Sequence, residues 1–266
     1  MLEVRAADLD QSTDTEVGDF IRKGGAIVLR EVIDAGTVSS LKAALRQALD
    51  EDDARYGRDY KFRAMVHALM GRGPAFLELL GNQTIRRISK AVLGHGCIVH
   101  AYNSSSMPPG ATNYSRTIHV DSPRLVPGYV TNIGVTLALD PFNAETGGME
   151  IMPLSFESSV APDEMAFQKG AEQPLLAPGD AIIFNARCWH RGGVNRTQNW
   201  RHAVSMNICR SYMRQQFDFP RMMDELHING LDEDRRQFLG YYVRQPSSMA
   251  EFLLPAEQRL YRPGQE

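Results

Sequence analysis

His119 and Asp121 stand one residue apart, in the only His-x-Asp/Glu of the sequence. In extended backbone, side chains two positions apart point to the same side. An imidazole nitrogen and a carboxylate oxygen so placed can bind one metal ion together. A second histidine from a neighbouring strand would complete a two-histidine, one-carboxylate set, which leaves one face of an octahedral iron(II) open to other ligands. With seven histidines in the chain, an Asp two residues on arises by chance about one time in three, so the pair gains weight only from the distal part of the chain. There the stretch APGDAIIFNARCWHRGGVNRTQNWR has a turn at Pro178-Gly179-Asp180, an apolar strand from Ala181 to Phe184, then His190, Asn195 and Arg201. A 2-oxoglutarate chelated to such a metal would leave its second carboxylate at the far end, and burying that charge requires a cation. Arginine suits this because its planar fork binds a carboxylate through two parallel hydrogen bonds. An arginine eleven positions after the distal histidine falls on the next strand, within reach of that carboxylate.

Such residues need a strand-rich frame. Between Cys97 and Tyr212 lie short β-type runs, CIVHAY, YVTNIGVTLAL, GMEIMP, DAIIFN and HAVSMNI, separated by the turn-rich PPG, NAETGG and APGD. Such a series predicts a closed barrel or double-sheet jelly roll. Ahead of it, Thr13 and Glu16 form a capping-box pattern before Val17, Phe20 and Ile21, and the helix they start stops at Gly24-Gly25. AIVLREV reads as a strand. Asp34 or Thr37 caps a helix carrying Leu41, Ala44, Leu45, Ala48 and Leu49 at helical spacing, with Glu51-Asp52-Asp53 as its solvated end. Further helices are expected at PAFLELLG and TIRRISKAVLG, and after Tyr212 at MMDEL and DEDRRQFLGYY. The fold class is mainly β with flanking helices, in one domain over 1–266: helical to about 95, β core over about 96–212, helical over about 213–266.

At 266 residues with a net charge of −3, the chain has room for one large core and no excess of positive charge. No basic run with interleaved aromatics suggests nucleic acid, and no stretch approaches the roughly 18 apolar residues of a membrane span. The N-terminus MLEVRAADLD is polar and acidic, without an apolar leader. Cys97, Cys188 and Cys209 are odd in number and far apart, unlike a disulfide framework. The expected setting is the cytoplasm and the expected partner a small-molecule substrate; oligomeric state stays open.

With these residues in place, the chain resembles the phytanoyl-CoA dioxygenase family of Fe(II)/2-oxoglutarate-dependent oxygenases over nearly its whole length. DFIRKGGAIVLREVIDAGTVSSLKAALRQAL looks like that family's opening helix, strand and helix. IHVDSP resembles its H-x-D segment, and LALDPFNAETGGMEIMPLS the strand, acidic loop and strand between the ligand motifs. GDAIIFNARCWHRGGVNRTQNWR resembles the distal H…N…R segment. The resemblance implies a double-stranded β-helix (jelly roll, cupin-like). It assigns iron(II) to His119, Asp121 and His190, and the C5 carboxylate of 2-oxoglutarate to Arg201. It also implies O₂ as oxidant, release of succinate and CO₂, and oxidation, most simply hydroxylation, of a small molecule such as those of secondary metabolism. The chain departs from the family in two places. Pro153-Leu154-Ser155-Phe156 stands where P-G-S-H is frequent, and Gly192 where a hydroxyl residue often follows the distal histidine by two. Thr131 or Ser205 is then expected to supply a hydroxyl.

Asn103, on the strand before the iron motif, is a candidate for binding co-substrate or substrate, with Tyr102 and His100 beside it. Arg124, Lys61 and Arg63 are weaker candidates. His67, His95, His100, His202 and His227 lack a motif and are expected to be structural, Cys188 a small buried thiol and Trp189 core. The Gly/Pro/Ser-rich segment 104–117 is expected to be a surface loop, mobile without ligands. A halogenase would need Asp121 replaced by a small residue. The competing reading is a non-catalytic or 2-oxoglutarate-independent metal-binding jelly-roll protein that binds a small molecule; it gives no reason for the spacing of Arg201.

Overall fold

Helices begin where a short polar side chain can take up free backbone N–H groups. In the computed structural model, which describes residues 1–57, 64–223, 230–259 and 261–265, Asp10 does this for α1 (Gln11–Arg22), accepting from Thr13 N at 2.8 Å. The expected box headed by Thr13 thus begins one turn too late; Thr13 lies inside the helix and its hydroxyl also donates to Asp10. Asp34 caps α2 (Ala35–Tyr56) through Thr37 N, and Asn82 caps α4 (Gln83–Leu93) through Ile85 N. Between these, Pro74 opens α3 (Pro74–Leu79). The end of α2 is more than a solvated tip: Arg72 pairs with Asp52 at 2.8 Å and Glu51 at 3.1 Å.

The strands are β1 (Leu2–Arg5), β2 (Ala26–Arg30), β3 (Ile98–Ser104), β4 (Asn132–Ala138), β5 (Glu150–Ile151), β6 (Ala181–Asn185), β7 (His190–Arg191) and β8 (Ala203–Cys209). The large sheet has the order β1-β2-β6-β4-β8-β3 and is antiparallel except for the β1–β2 pair. The small sheet pairs β5 with β7 and extends through His119↔His190 and Ile151↔Glu172. Opposite faces of the large sheet have different partners. Ile133, Val135 and Leu137 of β4 and Val204, Met206 and Ile208 of β8 join Val17, Ile21, Leu41, Leu45, Ile85 and Ile88 of the helices in one core. On the other face Val28, Ile182 and Phe184 pack with Ile151, Met149 and Cys188 of the small-sheet side. Two sheets packed in this way, with helices behind one, form the expected jelly roll.

The N-terminal part holds, besides the expected strand β2, a further strand β1 that joins it in the large sheet. β1 has no signature in the sequence, because its side chains lie mostly at the surface of an edge and show no apolar alternation. The crossover after β5 carries α5 (Glu164–Gly170), which the sequence reading did not expect. Near the C-terminus lie α6 (Phe219–Met222), α7 (Glu233–Phe238) and α8 (Met249–Phe252). The expected MMDEL helix is thus the end of α6 at Met222, and its last three residues lie outside the described ones. Leu231, Phe238, Leu239 and Tyr241 enter the same core as the N-terminal helices. No helix among the described residues is long and apolar enough to cross a membrane.

Candidate active site

The backbone brings the three candidate ligands together before their side chains are considered. His119 and His190 face each other across two N–H···O bonds of 3.0 Å. The Asp121 N–H donates to Ala186 O at 2.9 Å, so Asp121 is held by the residue just beyond β6. Asp121 Oδ1 then lies 3.7 Å from His119 Nε2, and Oδ2 lies 3.8 Å from His190 Nε2. One ligand atom from each of the three lies within 4.8 Å of the others, a separation that one ion can bridge.

Both imidazoles are oriented by the carbonyl two residues earlier. His119 Nδ1 lies 2.7 Å from Thr117 O and His190 Nδ1 3.0 Å from Cys188 O. A carbonyl only accepts, so each Nδ1 carries the proton and each Nε2 turns a lone pair toward Asp121. Burial pushes the His190 imidazole down to about 4, Asp121 opposing and His119 adding to the shift, so the ring is neutral at pH 7. The edge of Phe184 packs at 4.9 Å from the His190 ring. Gly134 makes room for it: a Cβ there would overlap the Phe184 ring.

Arg201 opens into the same cavity, of about 630 Å³, and is only 2% exposed. Its Nη1 donates to Ser105 O at 2.8 Å and its Nη2 to Gly147 O at 2.9 Å, while Nε has no partner. Among the described residues it has no ion-pair partner; its guanidinium lies 4.4 Å from the Phe142 ring centroid. Burial pushes it down to about 9, which leaves it charged at neutral pH. Asp140 opposes that shift from a distance, but no carboxylate among the described residues is in ion-pair contact with Arg201. That is expensive for a buried cation, and here it faces a cavity that can admit an anion.

Of the other expected residues, Asn103 lines the cavity and its Oδ1 accepts from Ala68 N at 3.3 Å. Ser205 lines the cavity and Thr131 does not; the Thr131 hydroxyl is 3.0 Å from that of Ser122, outside the pocket. Tyr102 is core, its hydroxyl donating to Phe76 O. Arg124 is exposed and away from the cavity, and Lys61 and Arg63 lie outside the described residues. His67 and His100, expected to be structural, both line the cavity. For His100 the reason is a register shift between Val99 and Ala101, a bulge that re-aims its side chain. His95 is exposed, His202 is buried against Ser106 and Trp200, and His227 lies outside the described residues. Cys188 is buried and Trp189 nearly so.

Two features had no motif to announce them. Arg187, between β6 and His190, donates to Ser122 O, Pro123 O, Phe156 O and Ser158 O, tying the Asp121 segment to the 152–158 turn. Segment 104–117 is bonded to its surroundings at several points. Met107 pairs with Arg201, Asn195 N donates to Ala111 O, Thr112 Oγ1 to Gly193 O and Gly192 N to Ser115 O.

The arrangement offers three side chains that could hold one metal ion, a buried arginine without an ion-pair partner among the described residues and a partly apolar chamber. Uncharacterized protein Rv1501 of Mycobacterium tuberculosis is 26% identical over 259 residues, covering 94% of this chain and 95% of its own. The solved structure of AviO1 from Streptomyces viridochromogenes aligns with a TM-score of 0.58 at 20% identity, over 76% of this chain and 95% of that one. That of SnoN, a non-heme alpha ketoglutarate dependent epimerase from nogalamycin biosynthesis, aligns with a TM-score of 0.57 at 18% identity, over 75% and 84%. At such identities the two structures speak for the fold alone. Residues 21–203, which contain the three candidate ligands and Arg201, match the family Phytanoyl-CoA dioxygenase (PhyH), and the chain belongs to that family.

Proposed function

We propose that the protein is an Fe(II)- and 2-oxoglutarate-dependent dioxygenase that oxidises, most simply hydroxylates, a small organic molecule. The observation that carries this reading is Arg201, a buried cation without an anionic partner in the cavity that the His119, Asp121 and His190 ligand atoms face. His119, Asp121 and His190 hold the metal, and Thr117 O and Cys188 O keep the imidazoles in the required tautomer. Arg201 neutralises the far carboxylate of the co-substrate. When bound, iron(II) with 2-oxoglutarate and O₂ supplies the oxidising power, with succinate and CO₂ as co-products. Phe142, Met149 and Phe184 line the chamber and keep water from the metal.

Succinate release from 2-oxoglutarate, measured with iron(II) and a panel of small organic molecules, tests the reading. Stimulation by a panel member, with product heavier by one oxygen, is expected. Arg201→Ala should raise the 2-oxoglutarate dissociation constant by about 100-fold or more while iron still binds. Tight metal binding without 2-oxoglutarate-dependent turnover would return the protein to the class of metal-binding jelly rolls.

A further inference from the structure

Gly192 stands two residues beyond His190, and a Cβ built on it would overlap Ser115 Oγ and come within 2.5 Å of Met107 Cε. The space that a side chain at 192 would enter is therefore already filled, and by a hydroxyl. In extended backbone that direction is the one His190 takes toward the metal centre. Two strand residues advance about 7 Å, on the order of the length of a five-carbon diacid. Ser115 and Arg201 line one cavity. They are joined through Met107, whose backbone bonds Arg201 in both directions while its side chain reaches the Gly192 position.

We infer that Ser115 positions the co-substrate: its hydroxyl donates to the far carboxylate of 2-oxoglutarate beside Arg201, from the place a side chain at 192 would occupy. The inference rests on the proposed role of 2-oxoglutarate. Arg201 has already committed one hydrogen from each terminal nitrogen to Ser105 O and Gly147 O. A carboxylate offers about four lone-pair sites, more than the remaining fork fills in one plane. A neighbouring hydroxyl supplies the missing donor. Ser115 is held for the task. Gly192 N donates to Ser115 O at 2.8 Å, and Asn113 Oδ1 accepts from both Ser115 N at 2.9 Å and Ser115 Oγ at 2.7 Å. Asn113 is itself fixed through Nδ2 to Ser106 O. When the Ser115 hydroxyl turns to the carboxylate, Asn113 Oδ1 keeps the backbone N–H, so the turn costs one bond and leaves the loop in place.

The test is calorimetric titration of 2-oxoglutarate into iron(II)-loaded protein without oxygen, beside separate titrations of the metal. Ser115→Ala should weaken 2-oxoglutarate about tenfold, the ordinary loss for a hydrogen bond to a charged group, and leave metal affinity unchanged. Ser115→Ala/Gly192→Ser returns a hydroxyl from the strand side, with only the flexible end of Met107 left to turn aside, and should recover most of the affinity. An unchanged dissociation constant in Ser115→Ala would overturn the assignment. So would a loss that Gly192→Ser does not recover, which places the effect in the loop, or a loss confined to Ser205→Ala, which places the donor on β8. If the unmodified protein binds iron but no 2-oxoglutarate, the co-substrate reading fails first and is told apart from these results.

Discussion

An imidazole binds a metal through one nitrogen only if its proton is kept on the other, and in this chain the backbone makes that choice twice. Thr117 O and Cys188 O each hold an Nδ1–H, so both Nε2 atoms face Asp121 without a protonation step. His119→Ala, Asp121→Ala and His190→Ala each remove one of the three proposed protein ligands. Metal affinity in each should fall by more than the roughly 10–100-fold that accompanies loss of an outer-shell partner, with the circular dichroism spectrum retained. Near-unchanged metal stoichiometry in any one variant would take that residue out of the centre. That His119, Asp121 and His190 come together, and that Arg201 is buried in the same cavity, was legible from the H-x-D spacing and the distal H…N…R order. Ser115, His67 and His100 were not. Ser115 reaches its place through a loop closed by hydrogen bonds to Gly192 and Gly193, and His100 through a bulge. Neither leaves a trace in residue spacing.

Among the elements, the long apolar strands and capped helices were legible, and the short ones were not. β4 is buried on both faces and β6 throughout, so both read as apolar runs. β7 has two residues and owes its existence to β5 and to His119 across from it. Arg187 ties the segment after Asp121 to the turn that follows β5. It is 7% exposed and donates to four carbonyls, and its closest contact is Ser158 O at 2.7 Å. Replacing it by methionine keeps the aliphatic stem and removes the donor to Ser122 O, Pro123 O and Phe156 O, while Ser158 O keeps that of Trp189 Nε1. Arg187→Met should lower unfolding stability by about 2–4 kcal/mol, read as a shift in denaturant midpoint. It should also weaken metal binding, because two of the four carbonyls, Ser122 O and Pro123 O, directly follow Asp121. Unchanged midpoint and metal affinity together would show that the turn and the Asp121 segment hold their places without it.

At the scale of the whole molecule, the core joins the N-terminal helices, the large sheet and the C-terminal segments, and the interior encloses histidines that must stay neutral. His202, next to Arg201 in the chain, is one of these, with its Nδ1 2.9 Å from Ser106 Oγ and its ring stacked on Trp200. Burial pushes it down to about 4; Asp140 opposes this, and Arg46, Lys42 and Arg201 reinforce it. His190 is depressed to the same level in the metal-free protein. Proton counting sets the sign. Below pH of about 6.5 an unfolded histidine binds a proton that the folded one refuses, so the unfolded state gains as pH falls. The stability that a neutral His202 contributes is complete above its unfolded value, and it is lost as the pH falls toward about 4. Each such group adds a slope of about 1.4 kcal/mol per pH unit across that window. Metal-free protein should therefore lose stability between about pH 6.5 and 4, before most carboxylates titrate. His202→Gln keeps a polar side chain that does not titrate and should flatten the slope, leaving the shares of His190 and of His67, which burial also pushes down. Denaturant midpoints at half-unit pH steps decide it: an identical slope in the variant would mean that His202 takes up its proton without opening the fold.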